Sequence, residues 1–131
     1  MSFISVAMAS LAALVFGAIW YSIFAKSWSA ASDVTLDENG KPTNWKRPLP
    51  YIIGILCAVI VAATMHYAFN MLDIVTPRKG FTSGLGIGAC FAAPWIATNY
   101  GLAGKPLTLI VIDGGYAILG SAIIGTVLTL I

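Results

Sequence analysis

Asp113 is the only formally charged side chain in the apolar run from Leu107 to Ile131. A carboxyl group at membrane depth is costly unless something satisfies it, which makes Asp113 the first candidate for a functional site. Two chemistries are open to it. Protonated, it donates to an amide or a backbone carbonyl; ionised, it only accepts and needs two or three donors. The Tyr21 hydroxyl, the Asn99 amide and the indole N–H groups of Trp20 and Trp95 are the candidate donors. The apolar runs around it hold no Lys or Arg, so an ion pair is not expected there. His66, the single histidine, has Asn70 four residues on along the same helical face, and the two form a secondary polar site.

The elements that must position these groups follow from the distribution of charge. The chain has 131 residues, 59% hydrophobic and 9% charged, against roughly one-quarter charged in a soluble domain. Apart from Asp113, the charges fall between Lys26 and Arg47, between Asp73 and Lys79, and at Lys105. The runs left between them, 2–25, 51–72, 81–100 and 107–131, are each near the ~20 residues a helix needs to cross a bilayer. The expectation is an all-α membrane protein: a compact bundle of four transmembrane helices forming a single membrane domain over 1–131, with a long surface loop at 26–50. The first run lacks a basic leader and exceeds the about 7–15 apolar residues of a signal peptide, so it reads as a retained helix. The net charge of +2 is too small and dispersed to suggest nucleic acid as a partner. Cys57 and Cys90 lie at different depths in the second and third helices, where buried inert thiols are expected.

Within the loop, Val34-Thr35-Leu36 and Thr43-Asn44-Trp45 flank Asp37-Glu38-Asn39-Gly40-Lys41, which suggests a small hairpin turning at Asn-Gly. Pro48 and Pro50 open the second helix. Trp28 and Trp45 read as headgroup-level anchors. Lys26, Lys41, Lys46, Arg47 and Lys105 share one side of the membrane, opposite Arg78 and Lys79. The positive-inside rule puts the richer side in the cytoplasm and both termini outside.

Small and polar residues share helical faces. Ala9, Ala13 and Gly17 lead to Tyr21; Ala58 and Ala62 lead to His66 and Asn70. Gly84, Gly88 and Ala92 continue to Trp95 and Asn99, and Asp113 precedes Ala117, Ser121 and Gly125. Small residues at this spacing let helices approach closely in lipid, so the polar groups should face the bundle or an oligomer contact. Counting residues along the helices puts Asp113 roughly 10 Å below the loop side and His66 about 20 Å from it, which separates the two sites. Gly114, Gly115 and Pro94 add non-ideal backbone near the carboxyl. Phe16-Gly17-Ala18-Ile19-Trp20 also echoes Phe91-Ala92-Ala93-Pro94-Trp95, as a parallel two-helix repeat would.

The string Gly17-Ala18-Ile19-Trp20-Tyr21-Ser22-Ile23-Phe24-Ala25-Lys26-Ser27-Trp28, the pair Asn99-Tyr100 and the string Ile112-Asp113-Gly114-Gly115-Tyr116 resemble the DUF1761 family of small bacterial membrane proteins. The likeness covers nearly the whole chain, in order. The first string departs from the family pattern Trp-Tyr-small-Pro-x-Phe-Gly-Lys-x-Trp: it lacks the proline and one residue, and Ala25 replaces the glycine. That departure bears on the turn before Lys26. The family is named for having no assigned function, so the resemblance implies a fold type, a bacterial inner-membrane setting and recurring residues, but no activity. Trp20, Tyr21, Asn99 and Asp113 fall in its motifs; His66 does not.

No hydrolytic triad, phosphate loop or two-histidine metal site can be assembled at one depth, so no enzyme, metal or cofactor is expected. The first functional reading is a structural or accessory subunit, packing against itself or a larger membrane complex. The alternative is a small-solute or proton-coupled transporter or channel, working as a homo-oligomer with Asp113 as its titratable group.

Overall fold

The computed structural model describes residues 3–32, Glu38 and residues 47–131. Their regular structure is helical: α1 (Phe3–Ile23), α2 (Ala25–Ser32), α3 (Pro48–Met71), α4 (Pro77–Ile87), a π-helical turn (Gly88–Ala92), α5 (Ala93–Leu102) and α6 (Leu107–Leu130). α4, the π turn and α5 run on as one rod, Pro77–Leu102. With α1, α3 and α6 it makes four helices long and apolar enough to cross a membrane. The fold is an all-α four-helix bundle of membrane-spanning type.

Local chemistry sets the helix ends. α3 starts at Pro48, three residues before the expected boundary at 51, because Arg47 is extended and proline fits the first turn. The rod starts at Pro77 rather than 81. There the Thr76 hydroxyl caps the helix by accepting from the Lys79 backbone N–H at 3.3 Å. Arg78 and Lys79 thus sit in the first turn, where long stems let their charges reach the interface. Asp73 closes α3 with a left-handed backbone (φ 54), and the Ile74 N–H reaches back to the Phe69 carbonyl at 3.0 Å.

The expected loop over 26–50 is corrected at both ends, since residues 26–32 belong to α2 and 48–50 to α3. α2 continues from α1 with little interruption: Phe24 N donates to Trp20 O at 3.1 Å and Trp28 N to Phe24 O at 2.8 Å. With the family pattern's proline and glycine missing, nothing stops the ladder there. The hairpin expected near 34–45, and Trp45 with it, lies outside the described residues.

α6 is the axis of the bundle and packs against α1, α3, α4, α5 and α2. Against α4 the contact is backbone on backbone. A Cβ at Gly84 would lie 2.2 Å from the Ser121 carbonyl oxygen, one at Gly88 2.5 Å from Ile118 Cα, and one at Gly125 2.1 Å from the Gly80 oxygen. α3 behaves differently along its length. Its second half contributes Ala62, Met65 and Phe69 to a core with Val6, Ala9, Ala13, Ile124 and Leu128. Its first ten residues, 48–57, are all exposed. Cys57 and Cys90 are free and exposed, not buried, and Cys57 lies at the end of that exposed stretch of α3.

The glycine contacts predict a sharp contrast. Gly84→Ala should destabilise the bundle by about 1–3 kcal/mol, because backbone atoms must move apart to admit the methyl group. Gly86, with nothing within 4 Å of an added Cβ, should accept alanine at no cost or gain up to about 1 kcal/mol. Thermal unfolding in detergent reads both, and equal effects would refute the close contact.

Candidate functional site

Asp113 lies in the second turn of α6, and the chain reversal before that helix brings α5 beside it. Lys105 N donates to Tyr100 O at 2.9 Å and Gly104 N to Gly101 O at 3.2 Å, with Gly104 at φ +71. This is the paired-bond helix ending that glycine favours, and it leaves Tyr100 over the start of α6. The π turn sets the phase. Pro94 has no N–H, and its ring would meet the carbonyl four residues back. The turn ahead of it widens instead, and Ala93 N donates to Gly88 O. At 3.6 residues per turn, the contact row through Gly88 would continue near Ala92 and Asn99. The wider turn moves it on by about one residue: Ala93 meets Gly114, and Tyr100 meets Asp113.

Three helices converge on the carboxyl. The Tyr21 hydroxyl from α1 donates to Oδ1 at 2.5 Å, and the Tyr100 hydroxyl from α5 donates to Oδ2. An ionised carboxylate only accepts, and here each oxygen has a phenol donor. Trp20 hooks the same stretch of α6, its Nε1 donating to Ile112 O at 2.9 Å. Gly115 leaves room for that indole, since a Cβ there would lie 2.8 Å from Trp20 Cζ2. Tyr116 donates to Ala13 O at 3.2 Å, its ring in the space that Gly17 leaves open. Tyr21 meets Tyr116 edge-on at 5.4 Å and Trp28 at 6.3 Å. Trp28, expected as an interface anchor, is half-buried against this cluster, and among the described residues its Nε1 has no hydrogen-bond partner.

Beside the cluster runs a crevice of about 790 Å³. One wall is the exposed half of α3 and the other is the rod; Tyr21, Tyr100, Tyr116 and Asp113 line its polar part. Asn99 and Trp95 also line it but are exposed and make no hydrogen bond to Asp113. The donors the structure brings to the carboxyl are therefore Tyr21 and Tyr100, while Trp20 binds the neighbouring backbone. Tyr100 is missed when the row is continued from Ala92 at i+3 and i+7, to Trp95 and Asn99. Strict steps of four from Gly84 reach it. Trp95 is 64% exposed, unlike Trp20, so the two echoed segments end in different surroundings. His66 and Asn70 lie in the other half of α3, outside the crevice lining, with Asn70 Nδ2 3.4 Å from His66 Nε2. Among the described residues, no three His, Cys, Asp or Glu side chains come together.

Two phenol donors satisfy the carboxyl oxygens, and a solute-sized opening adjoins them. The clamp predicts an asymmetry. Tyr21→Phe should cost about 1–3 kcal/mol, since it strips a donor from a desolvated oxygen. In an Asp113→Ala background the same change should cost far less. Thermal unfolding of the four proteins measures the coupling, and an equal cost in both backgrounds would exclude the clamp.

The strings Trp20-Tyr21, Asn99-Tyr100 and Ile112 to Tyr116, far apart in the chain, meet in this cluster through Trp20, Tyr21, Tyr100, Ile112 and Asp113. No curated protein and no solved structure matches the chain. Residues 4–129 match the model of a family described as a protein of unknown function, DUF1761. Since that match takes in residues of all four spans and the whole Asp113 cluster, the chain belongs to the DUF1761 family.

Proposed function

We propose that this chain is a non-enzymatic membrane protein, folded as one membrane domain, that binds and moves a small solute. It works as a homo-oligomer, with Asp113 as the titratable group of the site. The observation that carries the reading is the crevice, about 790 Å³ and bordered by Asp113 and its phenol donors. A carboxyl that only fastens helices needs no such opening beside it. The crevice lies between α3 and the rod, and four short helices do not enclose a path alone, so a second copy supplies the missing wall. Lys105 Nζ donates to Ser32 O at 3.4 Å, so the end of α2 lies beside the reversal between α5 and α6. The excess of Lys and Arg in the sequence on that side supports a cytoplasmic position for it, with both termini outside, and the family resemblance supports a bacterial inner membrane.

The structural or accessory reading has one observation in its favour: the tyrosine clamp joins α1, α5 and α6, which is reason enough for a carboxyl. Asp113→Asn separates the two. Asparagine can accept from one tyrosine and donate to the other, so the bundle should survive at a cost of about 1–3 kcal/mol. In proteoliposomes on a solid-supported membrane, amino acids, sugars, organic cations and organic anions are added in turn. At least one class should evoke charge movement with the natural protein and none with Asp113→Asn. Silence from the natural protein, or full signals from the variant, would remove the transport reading. A monomeric mass in mild detergent would remove the homo-oligomer.

A further inference from the structure

We infer that the crevice takes a lipophilic monocation, its charge against Asp113 and its apolar body between α3 and the rod. This rests on the transport reading above and names the substrate class of that same site.

The charge argument comes first. Among the described residues lining the crevice, Asp113 is the only ionisable acid or base of full formal charge, with no Lys, Arg or His beside it. A negative solute would therefore meet a carboxylate with no compensating charge, in surroundings that screen little. The phenols leave room for a cation. Tyr21 occupies Oδ1 and Tyr100 occupies Oδ2, but an ionised carboxylate has about four lone-pair sites. A cation thus docks without displacing either tyrosine or loosening the bundle. A divalent metal fits poorly, since no second carboxylate among the described residues lines the space.

The walls set the rest of the ligand. α3 contributes Gly54, Cys57, Ala58 and Val61, and the rod contributes Phe91 and Ile96 among others, so the body of the ligand must be apolar. Trp95 and Phe91 line the crevice and are 64% and 69% exposed. Their rings are available to a poorly hydrated cation. The volume suits a drug-sized molecule, for which pockets of about 300–1,000 Å³ are usual.

Tetraphenylphosphonium and tetraphenylborate, of similar size and opposite charge, test this by calorimetry on purified protein in detergent, each titrated separately. The phosphonium should bind saturably and the borate at least about tenfold more weakly. Asp113→Asn should weaken phosphonium binding at least about tenfold, and Trp95→Leu, outside the clamp, by about threefold to tenfold. Equal binding of the two ions, or unchanged phosphonium binding in Asp113→Asn, would overturn the inference. Should Asp113→Asn fail to fold, the ion pair on the natural protein and Trp95→Leu decide it. Asp113-dependent phosphonium binding without charge movement in proteoliposomes upholds the ligand class and removes transport. Charge movement evoked only by neutral or anionic solutes does the reverse.

Discussion

A carboxyl group inside an apolar bundle, with no Lys or Arg to neutralise it, has to be satisfied by neutral donors brought from elsewhere in the fold. Asp113 takes one phenol from α1 and one from α5. Each is a long-range constraint, because it fixes the height and rotation of a whole helix relative to α6. Trp20 on Ile112 O and Tyr116 on Ala13 O hold the same three-helix junction from either side of the carboxyl. The charge therefore needs a rigid junction, and its donors supply much of that rigidity.

The other half of the bundle is held by shape. In lipid, apolar side chains gain little by facing one another, so close backbone approach decides which helices join. Gly80, Gly84 and Gly88 against Ala117, Ser121 and Gly125 give α4 and α6 that approach. The first half of α3 offers no such row. It carries Leu49, Ile52, Ile53, Ile55 and Leu56, all exposed, and an added Cβ at Gly54 would meet nothing within 4 Å. Small residues return at Ala58 and Ala62, and from there α3 joins the core. The crevice follows from this uneven distribution, since one helix is packed into the core in its second half and exposed in its first.

The four spans were legible because charges, Asp113 apart, are absent from four stretches of bilayer length, a signal that no tertiary detail overrides. α2 was not, because Ala25 to Ser32 carries a mixed, short pattern, and only the missing proline and glycine hinted that α1 would run on. Asp113 and Tyr21 could be put on facing rows by helical spacing alone. Tyr100 was missed because the usual mix of three- and four-residue steps leads to Asn99, whereas the π turn ahead of Pro94 shifts the register by about one residue. Periodicity arguments assume an unbroken period, and a proline within a span is where that assumption fails. The exposure of Cys57 has a related cause: depth along a helix was readable, but which faces remain uncovered depends on how far α3 stands off.

The junction and the crevice share residues, which ties stability to occupancy. Tyr21 and Tyr100 bond the carboxyl, Tyr21 meets Tyr116, and all three line the open space. Were the carboxyl protonated, one oxygen would become a donor and one phenol would have to turn and accept or release its bond. The ionised form keeps both phenols donating, with lone pairs left over toward the crevice. A change of charge on Asp113 is thus felt by α1 and α5 together, through single hydroxyl groups. α3 lines the crevice beside them and, among the described residues, contributes no hydrogen bond to the carboxyl.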